Sequence, residues 1–111
     1  MSNIEEKLKL YRKRSCNIEN NNIEIENLKI DGLKDKDEKI QIMRLEIKKM
    51  QLENKKIDNI LRLLSEKDYK VISLIYLEGK DKKKVAKELD RTKRQIDYSI
   101  NKAVRRIEEV L

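Results

Sequence analysis

The sequence predicts an all-helical protein, and three observations support this fold class. The 111 residues include no proline, the strongest helix breaker, and only two glycines, Gly32 and Gly79, at which the chain can turn easily. Apolar residues recur at steps of three and four over long stretches, which is the spacing of one helix face. Because 44% of the residues are charged and Phe and Trp are absent, we expect a core that is thin, local or shared with a partner.

The composition also excludes most catalytic and metal chemistry. The chain has no His and one Cys, so a zinc site lacks ligands and a Cys/His nucleophile pair cannot be assembled. We therefore expect no enzyme activity, no cofactor, no metal and no small-molecule substrate. The lone Cys16 fits a reducing compartment. Since no apolar run reaches the ~18 residues that span a bilayer and no signal-peptide core follows Met1, we expect a soluble, cytoplasmic protein without a membrane partner.

Residues 1–64 are predicted to form a hairpin of two coiled-coil-like helices. The first helix covers residues 3–29, and three consecutive asparagines at residues 20–22 predict a bend or fraying in its middle, because Asn has a poor helix propensity. Asp31 and Gly32 end this helix. The second helix covers residues 35–64.

The second helix carries the clearest apolar stripe of this half of the chain. Its a and d positions include Ile40, Met43, Ile47, Met50, Asn54 and Ile57. An Asn at an a position is a device that fixes register in dimers. On this stripe, however, a parallel zipper would place Lys39 towards Arg44 and Glu53 towards Asp58, which are like charges. We favour an antiparallel hairpin within the chain, and a homodimer through the same six residues stays open.

Residues 65–111 have the pattern of three shorter helices. Ser65 can cap the first, which ends at Gly79, and Asp81 can cap a short second helix. Thr92 and Gln95 form a capping box for a longer third helix, whose buried side is marked by Ile96, Ile100, Ala103, Ile107 and Leu111. A short turn between the last two helices predicts a helix-turn-helix.

Positive charge is concentrated in this second half. Residues 80–106 hold eleven basic side chains against four acidic ones, a net of +7, which equals the net charge of the whole chain. A solvated helix face would also account for a single lysine run. For a cluster of this density, nucleic acid is the partner we expect.

About residues 61–111 resemble region 4 of the sigma-70 family. The matching residues are Val71, Ile72, Leu74, Tyr76, Leu77, Glu78, Gly79, Val85, Ala86, Lys87, Glu88, Leu89, Thr92, Ile96, Lys102, Ala103, Arg105, Arg106 and Ile107. The sequence departs from the family at Arg91, where a small aliphatic residue is usual, and at Asp90, where Gly is commoner. The resemblance implies a helix-turn-helix that reads double-stranded DNA and rests on the β-flap of RNA polymerase.

The remainder of the chain does not resemble a sigma factor, since the aromatic-rich region that melts promoters is absent. In size and order, the chain is similar to small sigma-region-4-like regulators of Gram-positive phages and prophages, including the ArpU-like activators. The resemblance thus implies a phage-encoded or prophage-encoded regulator in a bacterial cytoplasm.

The helix-turn-helix hypothesis assigns roles to individual residues. With Ile96, Ile100 and Ala103 facing inward, the side chains expected to read bases are Lys93, Arg94, Asp97, Tyr98 and Asn101. Asp97 has two readings, as an acceptor from cytosine or as a partner that orients Arg94. The side chains expected at phosphates are Lys82, Lys83, Lys84, Lys87, Arg91, Thr92, Gln95 and Lys102.

By the resemblance alone, RNA polymerase would contact the helix that ends at Gly79. Leu74, Ile75 and Leu77 are its candidate contact residues, and packing of these side chains against the second helix is the competing interpretation. Tyr76 is expected in the core.

Three functions are compatible with this pattern. The first is a DNA-binding transcriptional regulator that recruits or redirects RNA polymerase. The second is a DNA-packaging protein similar to small terminase subunits, which also combine a helix-turn-helix with helical oligomerisation segments. The third is an adaptor that uses the helix-turn-helix for protein contacts, and the basic cluster speaks against it.

Overall fold

The computed structural model describes residues 3–110, and over this range the chain is all-helical, as predicted, without a strand. Five α-helices follow one another: α1 Ile4–Ile30, α2 Glu38–Leu61, α3 Glu66–Ile72, α4 Lys82–Glu88 and α5 Lys93–Val110. Ser73–Leu77 continues α3 as a π-helical turn. Leu111, which the sequence placed on the buried side of the last helix, lies outside the described residues. Within residues 3–110, no helix is both long and apolar enough to cross a membrane.

The helix α1 is uninterrupted over 27 residues and ends where Asp31 and Gly32 predicted. Gly32 has a φ of 103°, and the amides of Gly32 and Leu33 donate to the carbonyls of Lys29 and Leu28 at 3.0 Å. This is the Schellman arrangement that closes a helix with a left-handed glycine. The expected fraying at residues 20–22 was wrong, because packing against α2 on either side holds the helix despite the poor propensity of Asn.

The helices α1 and α2 lie antiparallel, as the direction of their contacts shows. The Tyr11 hydroxyl donates to Asp58 Oδ1 at 2.8 Å, and at the other end Ile25 packs with Ile40 and Ile47. The Asp37 side chain caps α2 by accepting from the amide of Lys39 at 2.9 Å. The hairpin favoured from the sequence is therefore present, with α2 beginning at Glu38 rather than near residue 35.

The stripe assigned to a possible dimer is used inside this hairpin. Ile40, Ile47 and Asn54 are buried, and Met43, Met50 and Ile57 are half-buried. Asn54 Nδ2 donates to the carbonyl of Tyr11 and to Ser15 Oγ, both at 3.2 Å, and Asn54 Oδ1 accepts from Arg14 at 3.3 Å. The stripe faces α1 because α1 offers an apolar partner within the same chain. Asn54 thus fixes the register of the hairpin, and the three buried side chains are not available to a second copy.

A single core joins the hairpin to the last three helices. Ile4 and Leu8 of α1 lie in the same buried cluster as Val71, Ile96 and Ile107. Leu61 and Leu64, on both sides of the predicted boundary at residue 64, belong to this cluster as well. A smaller cluster around Ile25 closes the far end of the hairpin. The composition predicted a core that is thin, local or shared with a partner, and the larger core is in fact shared between the two halves of one chain.

Candidate nucleic-acid interface

The last two helices are joined by a turn whose geometry depends on Asp90. Asp90 has a φ of 52°, and its amide donates to the carbonyl of Lys87 at 3.2 Å while the amide of Arg91 donates to the carbonyl of Ala86 at 2.8 Å. This is a second Schellman closure, with Asp in the left-handed position that favours Gly. Asp90 is accommodated in this position, since Asp tolerates the left-handed conformation better than most residues do.

The capping box predicted for α5 is confirmed. The amide of Gln95 donates to Thr92 Oγ1 at 3.1 Å, and the amide of Thr92 donates to Gln95 Oε1 at 2.9 Å. Both side chains, assigned to phosphate from the sequence, are engaged in this cap. Gln95 Nε2 and the Thr92 hydroxyl proton are the donors that the cap leaves available.

The outer face of α5 presents the side chains that the sequence assigned to base reading. Lys93, Arg94, Tyr98 and Asn101 are exposed, with 67% of Tyr98 accessible to solvent. On the opposite side of the helix, Ile96, Ile100, Ala103 and Ile107 are buried in the core. The structure therefore brings Arg94, Tyr98 and Asn101 together along one accessible surface, as the helical spacing predicts, whereas Lys93 is exposed at the start of the helix and lines neither groove on this surface.

Asp97 differs from the other four residues of this set. It is half-buried, and its Oδ1 lies 2.9 Å from Lys82 Nζ, in an ion pair between α4 and α5. Of the two readings given to Asp97, the pairing with Arg94 is not found. The carboxylate is instead balanced by a lysine that the sequence assigned to phosphate, so this ion pair ties the two helices together.

The half-buried Arg91 bonds α5 through its guanidinium. Its Nη2 donates to Ser99 Oγ at 2.7 Å and to the carbonyl of Gln95 at 3.0 Å, and its Nη1 is buried without a hydrogen-bond partner. Ser99 is itself buried. In this conformation the long side chain folds over the turn onto α5, and the phosphate role of Arg91 stays a prediction.

The exposed lysines of α4 lie beside this surface. The Asp81 side chain caps α4 by accepting from the amide of Lys83 at 2.7 Å. Apart from the half-buried Arg91, six basic side chains of residues 80–106 have no carboxylate within 4.0 Å in the described chain, and all six are exposed: Lys83, Lys84, Lys87, Lys93, Arg94 and Arg105. These cations give α4 and α5 an exposed positive surface.

Two further basic residues border the outer face of α5. Lys67 of α3 lines a shallow groove with Arg94, Gln95 and Tyr98. Arg105 and Lys102 line a second groove on α5, where Lys102 Nζ lies 3.7 Å from the buried carboxylate of Asp68. Sequence reasoning missed Lys67, which is 27 residues from Arg94 and enters the site only through the packing of α3 on α5. The sequence does indicate Arg105, because it continues the helix face of Arg94, Tyr98 and Asn101 at steps of three and four residues.

The surface assigned to RNA polymerase is covered. Leu74 is buried, and Ile75 and Leu77 are half-buried against the core. The N-terminal part of α1 lies over this segment, and the Tyr76 hydroxyl donates to Glu5 Oε1 at 3.1 Å. Burial and this hydrogen bond raise the pKa of Tyr76 to about 12. Packing therefore accounts for much of the burial of these three apolar residues, but the helix that covers them is chiefly α1 and not the second helix. The polymerase contact stays a prediction.

Within residues 3–110, no group of three or more His, Cys, Asp or Glu side chains is arranged so that it could hold a metal ion. Cys16 is exposed and free. No family model, curated protein or solved structure matches the chain.

Proposed function

We propose that this protein is a sequence-specific DNA-binding transcriptional regulator, in which α4, the Asp90 turn and α5 act as a helix-turn-helix of the sigma-70 region 4 type. In this proposal α5 enters the major groove and reads bases with Lys93, Arg94, Tyr98 and Asn101. Lys83, Lys84 and Lys87 of α4 contact phosphates and set the register.

The observation that carries the proposal is the combination of side chains on the first turns of α5. Lys93 and Arg94 are exposed, unpaired cations at the end of an 18-residue helix where the macrodipole is positive. The first turn of α5 has no acidic residue, and its last turn has no basic one. Cations at the positive end of the helix dipole, without an acidic side chain beside them, lower the stability of the free protein. An anion bound at the N-terminus of α5 would offset that cost. A DNA phosphate backbone supplies such anions on both sides of the groove.

Two neighbouring features support DNA rather than a small anion. Tyr98 and Asn101 extend the surface along α5 beyond the reach of a single phosphate and provide an aromatic ring and an amide for base edges. The unpaired lysines of α4 widen the positive surface in the other direction. A surface that combines backbone contacts with base-reading groups is typical of specific DNA binding.

Action together with RNA polymerase, in the manner of a phage or prophage regulator of a bacterial host, is part of the proposal. Because α1 covers Leu74, Ile75 and Leu77, a polymerase contact would use other residues, for example the exposed side chains of α1 or α3.

The test is a fluorescence-anisotropy titration of the full chain against duplexes tiled from its own genomic neighbourhood, at several salt concentrations, with and without RNA polymerase. We expect tight binding to one segment, a logarithm of affinity that falls steeply with the logarithm of salt concentration, and tighter binding with polymerase. Weak binding that is equal across sequences and insensitive to polymerase would contradict the proposal and favour packaging or an adaptor role.

The residue-level test replaces Arg94 by Ala. We expect a loss of about 1–3 kcal/mol in binding to the preferred duplex and a smaller preference over other sequences, because a base contact is removed. Lys13→Ala, which removes one charge from the exposed surface of α1, is the matched control and should leave the preference unchanged. Equal effects of the two substitutions would contradict base reading by α5.

A further inference from the structure

The helix α2 has a second apolar stripe that the hairpin leaves uncovered. Ile40, Ile47, Asn54 and Leu61 face α1, whereas Ile42, Leu45 and Leu52 lie on the opposite side and are 51%, 57% and 52% exposed. Together with Lys49, Lys56 and Asn59 they follow one another at steps of three and four, which is an a/d pattern. We call these six residues the outer stripe. From the sequence alone these leucines and Ile42 lay off the a/d pattern, and only the position of α1 shows that they form a pattern of their own.

The charges on the two sides of the outer stripe are of opposite sign. With Ile42 at a, the e positions hold Glu46 and Glu53, and the g positions hold Lys48 and Lys55. All four side chains are exposed. One long side of the outer stripe is therefore acidic and the other basic, which is a charge arrangement that can recognise a second copy of itself.

We infer that a second copy of this chain covers the outer stripe, and that the two α2 helices pair as a parallel, two-stranded coiled coil. In a parallel pair, a g residue faces the e residue five positions later on the other helix, so Lys48 of each copy faces Glu53 of the other. In an antiparallel pair, g faces g and e faces e, which would set lysine against lysine and glutamate against glutamate. The charges thus select both the partner and the orientation.

The two lysines of the outer stripe limit the strength of this pair. Lys49 and Lys56 occupy a positions, and a polar residue there specifies oligomeric state at a cost in stability. Lys56 Nζ lies 3.1 Å from Glu53 Oε1 of its own chain, which reduces the repulsion between the two copies. The dimer is therefore weak and two-stranded, held mainly by Ile42, Leu45 and Leu52.

Parallel pairing places the two copies of α5 at the same end of the dimer, related by a twofold axis along α2. If the proposed function holds, this arrangement suits two DNA half-sites related by the same symmetry. The dimer itself does not depend on DNA, and every measurement below is made without DNA, so its failure leaves the proposed function untouched.

The first experiment is sedimentation velocity of the full chain over a concentration series. We expect a reversible monomer–dimer equilibrium that Leu52→Lys weakens at least tenfold. The matched control is Ile23→Lys, which changes an equally exposed residue, 53% accessible, on α1 and should leave the association unchanged. Circular dichroism of both variants checks that the helices persist. A chain that stays monomeric at every concentration, or equal effects of the two variants, would overturn the inference.

The second experiment tests the charges. Lys48→Glu and Glu53→Lys should each weaken self-association, because each creates a pair of like charges across the interface. Mixing the two variants should restore association, since the glutamate introduced in one variant then faces the lysine introduced in the other, and the remaining Lys48–Glu53 pair is intact. A mixture that associates no more tightly than either variant alone would overturn the pairing.

The third experiment fixes the orientation. Ile42→Cys, in a chain that also carries Cys16→Ser, should form an intermolecular disulfide under mild oxidation, because residue 42 meets its equivalent in a parallel pair. In an antiparallel pair over the outer stripe the two thiols would lie roughly 25 Å apart, at the ~1.5 Å rise per residue of an α-helix, and could not cross-link. Absence of the disulfide in a chain that dimerises would overturn the parallel orientation.

Discussion

At the scale of single residues, Arg91 shows most clearly how packing changes the role that a sequence suggests. A basic side chain in a basic cluster, directly before the capping box of α5, was expected at a phosphate. Instead its guanidinium bonds Ser99 Oγ and the carbonyl of Gln95, with Nη1 buried and unsatisfied. The desolvation of this group is a cost that the two hydrogen bonds offset only in part.

This geometry predicts that Arg91 affects stability more than DNA binding. For Arg91→Met, we expect the slope of log affinity against log salt to stay unchanged, because no phosphate contact is lost. For Lys84→Met, which removes an exposed and unpaired cation of α4, we expect the slope to fall by about 0.9. Anisotropy titrations of both variants at several salt concentrations measure this difference. A lower slope for Arg91→Met would contradict the inward position of Arg91.

At the scale of elements, the hairpin of α1 and α2 depends on the register that Asn54 sets. Most of the contact between these helices is apolar and would tolerate sliding by a heptad. Asn54 is the buried exception, and its amide group has partners on α1 at both its oxygen and its nitrogen. Such a group favours one register because every other register leaves it buried without partners.

We therefore predict that Asn54→Ala lowers the free energy of unfolding by about 1–3 kcal/mol, the cost of losing a buried hydrogen-bonded group. Gln51→Ala changes an exposed residue of the same helix and should have an effect within about 0.5 kcal/mol. Urea denaturation followed by circular dichroism measures both values. Equal stabilities of the two variants would show that the register is fixed by apolar packing alone.

At the scale of the whole molecule, the two halves of the chain share one core and should unfold together. Leu8, near the N-terminus, is 1% exposed and packs in the cluster that contains Ile107, near the C-terminus. Contacts of this sequence separation couple α1 to α5. A hairpin and a C-terminal unit joined only by a linker would lack this coupling.

Leu8→Ala should accordingly destabilise the entire chain by about 2–5 kcal/mol in a single transition. Leu10→Ala is the control, because Leu10 is 44% exposed on the same helix and its loss leaves no buried cavity. Two probes of unfolding are compared, circular dichroism of the helices and the fluorescence of a dye on a cysteine introduced near the end of α5 in a chain that also carries Cys16→Ser. Separate midpoints for the two probes would contradict a shared core.

Two tyrosine hydrogen bonds that join α1 to the rest of the chain predict a loss of stability at alkaline pH. The Tyr11 hydroxyl donates to Asp58 and the Tyr76 hydroxyl to Glu5, and burial followed by these hydrogen bonds raises each pKa from 10.0 to about 12. A raised pKa means that the folded state favours the protonated tyrosines. Their contribution to the free energy of unfolding is therefore complete below about pH 10 and is lost as the pH rises to about 12.

The measurement is the unfolding free energy of the wild type and of the double variant Tyr11→Phe/Tyr76→Phe between about pH 8 and pH 12. The variant lacks both hydroxyls but keeps every lysine, so the effect of lysine titration cancels in the difference between the two proteins. We expect the wild type to be more stable at the lower end of this range and the difference to narrow steadily above about pH 10. A difference that stays constant over the whole range would contradict the two hydrogen bonds.

Local signals in the sequence were sufficient to predict several parts of the fold. The end of α1 at Gly32, the cap of α4 by Asp81, and the Thr92–Gln95 capping box each depend on a few neighbouring residues with specific hydrogen-bonding or conformational properties. The outer face of α5 was also predictable, because the helical period separates Arg94 and Tyr98 from Ile96 and Ile100.

Other features of the site could not be predicted, because they depend on which surfaces meet. The sequence cannot show that α1 covers Leu74, that Arg91 folds onto Ser99, or that Lys67 borders the outer face of α5. The helix α2 has two a/d stripes, and the period of its apolar residues does not decide which one faces α1. By itself, the sequence determined the helices, their caps and their charge, since these follow from interactions within a few residues. The tertiary structure decided which faces are buried, because burial depends on contacts between residues that are far apart in the chain.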